Sequence, residues 1–187
     1  MTITASSENN NDATQRARLA EAQLDALLDA AVDAIIQINQ SGCIQRFNKA
    51  AEMIFGYAAS AVLGKNVNIL MPQPYHGEHD NYLRNYEQTG KARIIGIGRE
   101  VIGRRKDGSE FPIDLSVGEA RLEGKISFVG IIRDITERKH AEEQLRRQEA
   151  ELRLIFQNAP TAIATTDPEG NILSANPAFC RLLGYSE

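Results

Sequence analysis

"AAVDAIIQINQSGCIQRFNKAAEMIFGY", residues 30–57, decides the architecture of this chain because the chain contains it twice. Shifted by 128 positions, it aligns without gaps to "NAPTAIATTDPEGNILSANPAFCRLLGY", residues 158–185. The shared residues are Ala31/Ala159, Ala34/Ala162, Ile35/Ile163, Gly42/Gly170, Ile44/Ile172, Asn48/Asn176, Ala50/Ala178, Gly56/Gly184 and Tyr57/Tyr185. They fall where local structure needs particular chemistry: a turn glycine, apolar strand positions and an asparagine able to cap a helix. Two short strands around Gln40-Ser41-Gly42 read as a hairpin. The following "KAAEMIFGYAASAVLGKN" is helical in composition and broken by Gly56 and Gly64.

Downstream, "VNILMPQP" is a short apolar turn ahead of a helix that carries His79. In "EFPIDLSVGE", residues 110–119, Phe111, Ile113, Leu115 and Val117 point one way, with Pro112, Asp114 and Ser116 between them. That alternation is a half-buried strand. An Asp107-Gly108 turn joins it to the run before, and Glu123-Gly124 joins it to "KISFVGIIRDIT". Two strands, short helices, then three strands make an α+β domain, with helices on one face of a five-stranded antiparallel sheet.

The flanks have a different character. Residues 1–14 are polar and read as a disordered tail. Residues 15–31 carry Leu19, Ala20, Leu24, Leu27, Leu28 and Ala31 at helical spacing, an amphipathic helix. Over 137–156 the chain is highly charged, and Ala141, Leu145, Gln148, Leu152 and Ile155 step 4-3-4-3, the seam of a parallel coiled-coil dimer, with a lone amphipathic helix lying on its own domain as the alternative. The second copy, 151–187, lacks the strands that would complete its sheet. It is expected to fold poorly alone, or the chain is a piece of a longer protein.

The chain has 187 residues, 42% hydrophobic and 25% charged, with a net charge of −4, and its mild acidity argues against nucleic acid as a partner. No apolar run approaches the ~20 residues of a membrane span, and the start is not a signal sequence, so a cytoplasmic location is expected. Cys43 and Cys180 have no partner spacing. His140, in "RKHAEEQL", reads as a solvated linker residue rather than a phospho-acceptor. There is no phosphate loop, paired-carboxylate site, nucleophile elbow or zinc spacing, and no catalytic site is expected in this chain.

An asparagine opening a helix that ends "FGY" or "LGY", a "KDGSEFP" hairpin and a last strand ending "RDITERK" together resemble the PAS family. The resemblance covers 22–138 as a complete copy and 151–187 as a partial one. It implies a PAS fold that senses and dimerises, joined by a helical linker to a downstream histidine kinase or cyclic-dinucleotide enzyme. Asp134, Ile135 and Thr136 would relay the signal into that linker.

Residues 70–119, from "LMPQPYHGEHDNYL" through "IIGIGRE" to "SVGE", are further similar to the FixL-type haem-binding PAS domains of oxygen sensors. By itself, a helical histidine between Glu78 and Asp80 reads as a solvated surface residue, and His76, next to Gly77, does too. The resemblance instead makes His79 the proximal ligand of haem b. It makes Arg99 the cation that engages bound oxygen or a propionate, and Ile94, Leu115 and Val117 the distal wall. Tyr82 and Tyr86 match aromatics of the ligand-bearing helix. Asn85 departs from the pattern, which has an arginine near the propionates, and Arg84 and Arg93 are the candidates to compensate. The chemistry is consistent with haem: the iron takes a neutral imidazole on one side and needs a dry, apolar wall on the other. A flavin-binding or redox PAS, and a ligand-free dimerisation scaffold, are the alternative readings.

Overall fold

The computed structural model describes residues 4–77, 79, 84–86, 98–122 and 124–184. The expected hairpin is present as β1 (Ala34–Asn39) and β2 (Ile44–Phe47), paired antiparallel. Gly42 turns the chain with a φ of 77°, a left-handed conformation that costs glycine nothing. The Asn39 side chain accepts from the N–H groups of Ser41 and Cys43 at 3.0 and 2.9 Å, closing the loop.

Helix α2 (Lys49–Phe55) starts at Asn48, which does more than cap it. Oδ1 accepts from the Ala51 N–H at 3.0 Å and also from the Ile35 N–H at 2.8 Å. Nδ2 donates to the carbonyls of Leu28 and Asp33 at 2.8 and 3.1 Å. Both acceptor and both donor positions of the amide are therefore used, and the residue is 5% exposed. One side chain fixes the end of the N-terminal helix, the start of β1 and the first turn of α2. After α2 come α3 (Ala59–Val62) and a 3₁₀ turn over Val67–Leu70.

Strands β3 (Arg99–Arg104), β4 (Glu110–Leu122) and β5 (Lys125–Asp134) complete an antiparallel five-stranded sheet in the order β2-β1-β5-β4-β3. The alternation read in 110–119 holds: Phe111 and Ile113 are buried and Leu115 and Val117 pack against the core. Phe55 of α2 fills the centre, its ring 5.6 Å from Phe111 and 6.3 Å from Phe47. Val62 and Leu70, from α3 and the 3₁₀ turn, join the same cluster, so the helical segments cover one face of the sheet.

The N-terminal helix α1 spans Thr4–Asp29 and so begins inside the segment read as a disordered tail. Once a helix is nucleated, each further residue adds a hydrogen bond for one residue fixed, so it extends past its apolar stripe. That stripe is largely uncovered, with Leu19, Leu24 and Leu27 exposed. Helix α4 spans Thr136–Asn158 and buries none of its residues. No helix among the described residues is long and apolar enough to cross a membrane.

The chain divides into two compact units, Met1–Thr136 and Glu137–Glu187. Beyond α4, the second unit repeats the opening of the first in β6 (Ala164–Thr166), β7 (Ile172–Ala175) and α5 (Pro177–Leu183). Asn176 occupies the place of Asn48. It accepts from the N–H groups of Ile163 and Phe179 at 2.9 Å each and donates to Thr161 and Ala159. Even the irregularity in strand register recurs, between Gln37 and Ile38 in one copy and Thr165 and Thr166 in the other.

Replacing Asn48 by alanine strips a partner from four backbone groups beneath α2. The expected loss is about 3 kcal/mol or more. Urea unfolding followed by circular dichroism should give a lower midpoint at unchanged slope, and an unchanged midpoint would refute this role for Asn48.

Candidate functional site

Cross-strand partners in an antiparallel sheet share a face. One row therefore runs Ala34, Ile132, Leu115, Arg99, and the next runs Ile36, Gly130, Val117. Ala34, Ile36 and Ile132 are buried, so this is the inner face. The middle of the second row has no side chain. A Cβ on Gly130 would sit 3.6 Å from Leu115 Cδ1 and 3.9 Å from Ile132 Cδ1, so the glycine leaves a shallow recess walled by leucine and isoleucine. A glycine in the interior of a paired strand weakens it unless something approaches closely there. Gly130 did not figure in the sequence reading. The signal was available, an isolated glycine in the apolar run "ISFVGII", but only strand register puts it opposite Val117.

Leu115 and Val117 thus lie together on the inner face, and Arg99 is the register partner of Leu115 on edge strand β3, its side chain exposed. Next along the face, Glu119 pairs with Phe128. Tyr86 comes down on this end of the sheet, its ring edge-on to Phe128 with centroids 5.4 Å apart and an interplanar angle of 77°. Its hydroxyl donates to Glu119, whose other oxygen accepts from Arg121 Nε. The bond to Glu119 raises the Tyr86 pKa; the bonds from Arg121 and then Tyr86 lower that of Glu119.

His79 is helical and partly buried, with Nδ1 out of solvent. This differs from a solvated surface histidine. Arg84 and Asn85 are exposed on the helical residues beside Tyr86, and His76 lies in the helical turn 75–77. Tyr82, Arg93 and Ile94 lie outside the described residues.

At the other end of the sheet, β5 leads into α4 through Asp134, Ile135 and Thr136. Asp134 Oδ1 accepts from the Thr136 N–H at 2.9 Å and its hydroxyl at 2.6 Å, an Asx turn at the helix start. Ile135 is buried, and its N–H donates to the Pro112 carbonyl at 3.1 Å. The second Asp134 oxygen takes Arg105 Nη2 at 2.6 Å. That guanidinium stacks 3.6 Å from the centre of the Phe111 ring and also donates to the Ile54 carbonyl at the end of α2. These three residues are therefore tied to the core ring and to a helix end, and Arg105 is a member of this junction that sequence reasoning missed.

A family model described as the PAS fold matches residues 22–135, and one described as a PAS domain matches 150–187. The chain is similar to the sensor protein FixL of Bradyrhizobium diazoefficiens, 43% identical over 72% of this chain and 27% of that protein. It is also similar to the oxygen sensor protein DosP of Escherichia coli, 31% identical over 80% of this chain and 18% of the relative. A third relative is the cell-division control histidine kinase PdhS of Brucella abortus, 33% identical over 69% of this chain and 12% of that kinase. The chain thus spans about a quarter or less of these relatives.

Burial pushes the Asp134 carboxyl up, but the hydrogen bonds from Thr136 and Arg105 outweigh it and hold the pKa below the ordinary aspartate value. A depressed folded-state pKa contributes stability that is present in full above about pH 4 and is lost as pH falls through the lowered value. Amide-exchange protection at the start of α4 should therefore fall on acidification below about pH 4. Asp134→Asn should show that reduced protection already at pH 7. Equal protection in the variant and the parent would remove Asp134 from the junction.

Proposed function

The chain belongs to the PAS family, and from that premise we propose that its first copy is a cytoplasmic haem-binding sensor of a diatomic gas. The observation that carries this reading is the inner sheet face, where Leu115, Val117 and Ile132 surround a position left bare by Gly130. A bare position among apolar side chains suits close approach by a flat apolar group, and the part-buried imidazole of His79 is a donor of the type that haem iron takes. Similarity to the oxygen sensor protein DosP and the sensor protein FixL supports the same reading.

In this proposal His79 holds the iron through a neutral imidazole. Leu115, Val117 and Ile94 exclude water from the opposite side, and Tyr82 and Tyr86 pack the ligand helix. Haem supplies the iron position at which a gas binds reversibly. Arg99, exposed on edge strand β3 beside Leu115, would supply the cation for a propionate or a polar gas ligand, a charge-assisted partner for either. With Asn85 in place of an arginine, Arg84 and Arg93 hold the propionates. The change passes along β4 and β5 to Asp134, Ile135 and Thr136 and so into α4.

The exposed stripe of Leu145, Leu152 and Ile155 along α4 supports a homodimeric coiled-coil linker. The output domain of the parent protein is then a histidine kinase, in line with the PdhS relative, with a cyclic-dinucleotide enzyme as the alternative.

Protein purified from haem-supplemented cells should show a Soret band, and His79→Ala should abolish it. A flavin-type spectrum, a colourless protein, or a Soret band unchanged in His79→Ala would overturn the proposal. Arg99→Ala should retain haem and lose oxygen affinity by about tenfold or more, the worth of one charge-assisted hydrogen bond. Oxygen titration of the ferrous protein checks this.

A further inference from the structure

We infer that Glu119 is a positioning residue for the proposed haem site, acting through Tyr86 to seat helical residues 84–86 on the sheet. The inference rests on the haem reading for what it positions, but its geometry stands apart from it. Glu119 lies on the inner face, register partner of Phe128, which in turn pairs with Ile38, so the rest of its row is apolar. A carboxylate there is costly unless its oxygens find donors. Its side chain is 15% exposed, and both oxygens are occupied, one by the Tyr86 hydroxyl and one by Arg121 Nε. Arg121 is 68% exposed and comes from the same strand, so it neutralises Glu119 without joining two elements. Tyr86 does join two elements.

The ring of Tyr86 is fixed edge-on by Phe128 and its hydroxyl by Glu119, two contacts at right angles to one another in character. The ring contact tolerates sliding, whereas the hydrogen bond sets a direction and a depth. Tyr86 follows His79 by seven residues in the sequence. In the haem reading, holding Tyr86 on the sheet would limit how far the proposed ligand His79, seven residues before it, can move. Arg121 keeps the carboxylate ionised and in place as the acceptor. The residue types matter: phenylalanine at 86 would keep the packing and lose the depth setting, and alanine at 119 would leave the phenol without its acceptor.

The test is a double-mutant cycle on the full chain with Tyr86→Phe, Glu119→Ala and the pair, read in two ways. In haem-free protein, amide exchange at residues 84–86 should accelerate about tenfold in each single variant, and the double should be no faster. In haem-loaded protein, loss of haem to excess apomyoglobin should rise several-fold in each single variant without adding. The iron–imidazole stretching band of the ferrous form should shift in step. Glu119→Gln, which keeps an acceptor for the phenol, should restore most of the protection and the band position. Single effects that add, or a band that stays put while haem remains bound, would overturn the latch while leaving the haem reading intact. A parent protein without a Soret band but with the exchange coupling present would instead overturn the haem reading, and with it the positioning role.

Discussion

The amide of Asn48 is the constraint on which the first unit depends. A buried amide has two acceptor and two donor positions, and leaving any one empty costs about 1–3 kcal/mol. Here all four are used on backbone groups from three places: the end of α1, the start of β1 and the first turn of α2. The hairpin and α2 can therefore meet only at the angle that satisfies the amide. The strand-to-asparagine separation is 13 residues in both copies, Ile35 to Asn48 and Ile163 to Asn176. The second copy reproduces the bonding with different neighbours in sequence, which marks it as local chemistry rather than a product of the surrounding core.

Once Asn48 has fixed β1, the sheet order follows. β1 lies between β2 and β5, which makes the first and last strands of the domain neighbours. Its outgoing junction is then only one strand from its incoming one. Arg133 forks onto both oxygens of Asp33 at 2.9 and 2.7 Å, a bond across 100 residues. Asp33 is itself held through its carbonyl by Asn48. The base of α1 and the exit of β5 are thus fastened at one point.

Much of this was legible in the sequence because it depends on short-range rules. The period-two alternation of Phe111, Ile113, Leu115 and Val117 needs no partner to be recognised, and the turn at Asp107-Gly108 and the break at Gly56 are set by residues within a few positions. The site was legible only in part. His79, Arg99, Leu115 and Val117 came from a motif. Gly130, Glu119 and Arg105 did not, because their meaning lies in register. Gly130 matters only because it faces Val117 and Ile36, and Glu119 because Tyr86 reaches it from 33 residues away. The start of α1 was misplaced for the opposite reason. A helix held by propagation alone needs no apolar pattern to announce it.

Two ion pairs lie at the end of β5, and their settings differ. The Asp33–Arg133 pair has a guanidinium that is 67% exposed, so solvent and salt screen it and it contributes little. The Arg105–Asp134 pair is 27% exposed on both sides, and its guanidinium also stacks on Phe111. Asp134 is the register partner of Ile113, a core residue two positions from Leu115 on the same strand and face. A ligand that displaced Leu115 would strain β4 next to Asp134, whose remaining bonds hold Thr136 at the first turn of α4. The more exposed pair fastens the frame, and the more buried one joins the end of β5 to the Phe111 ring and the end of α2.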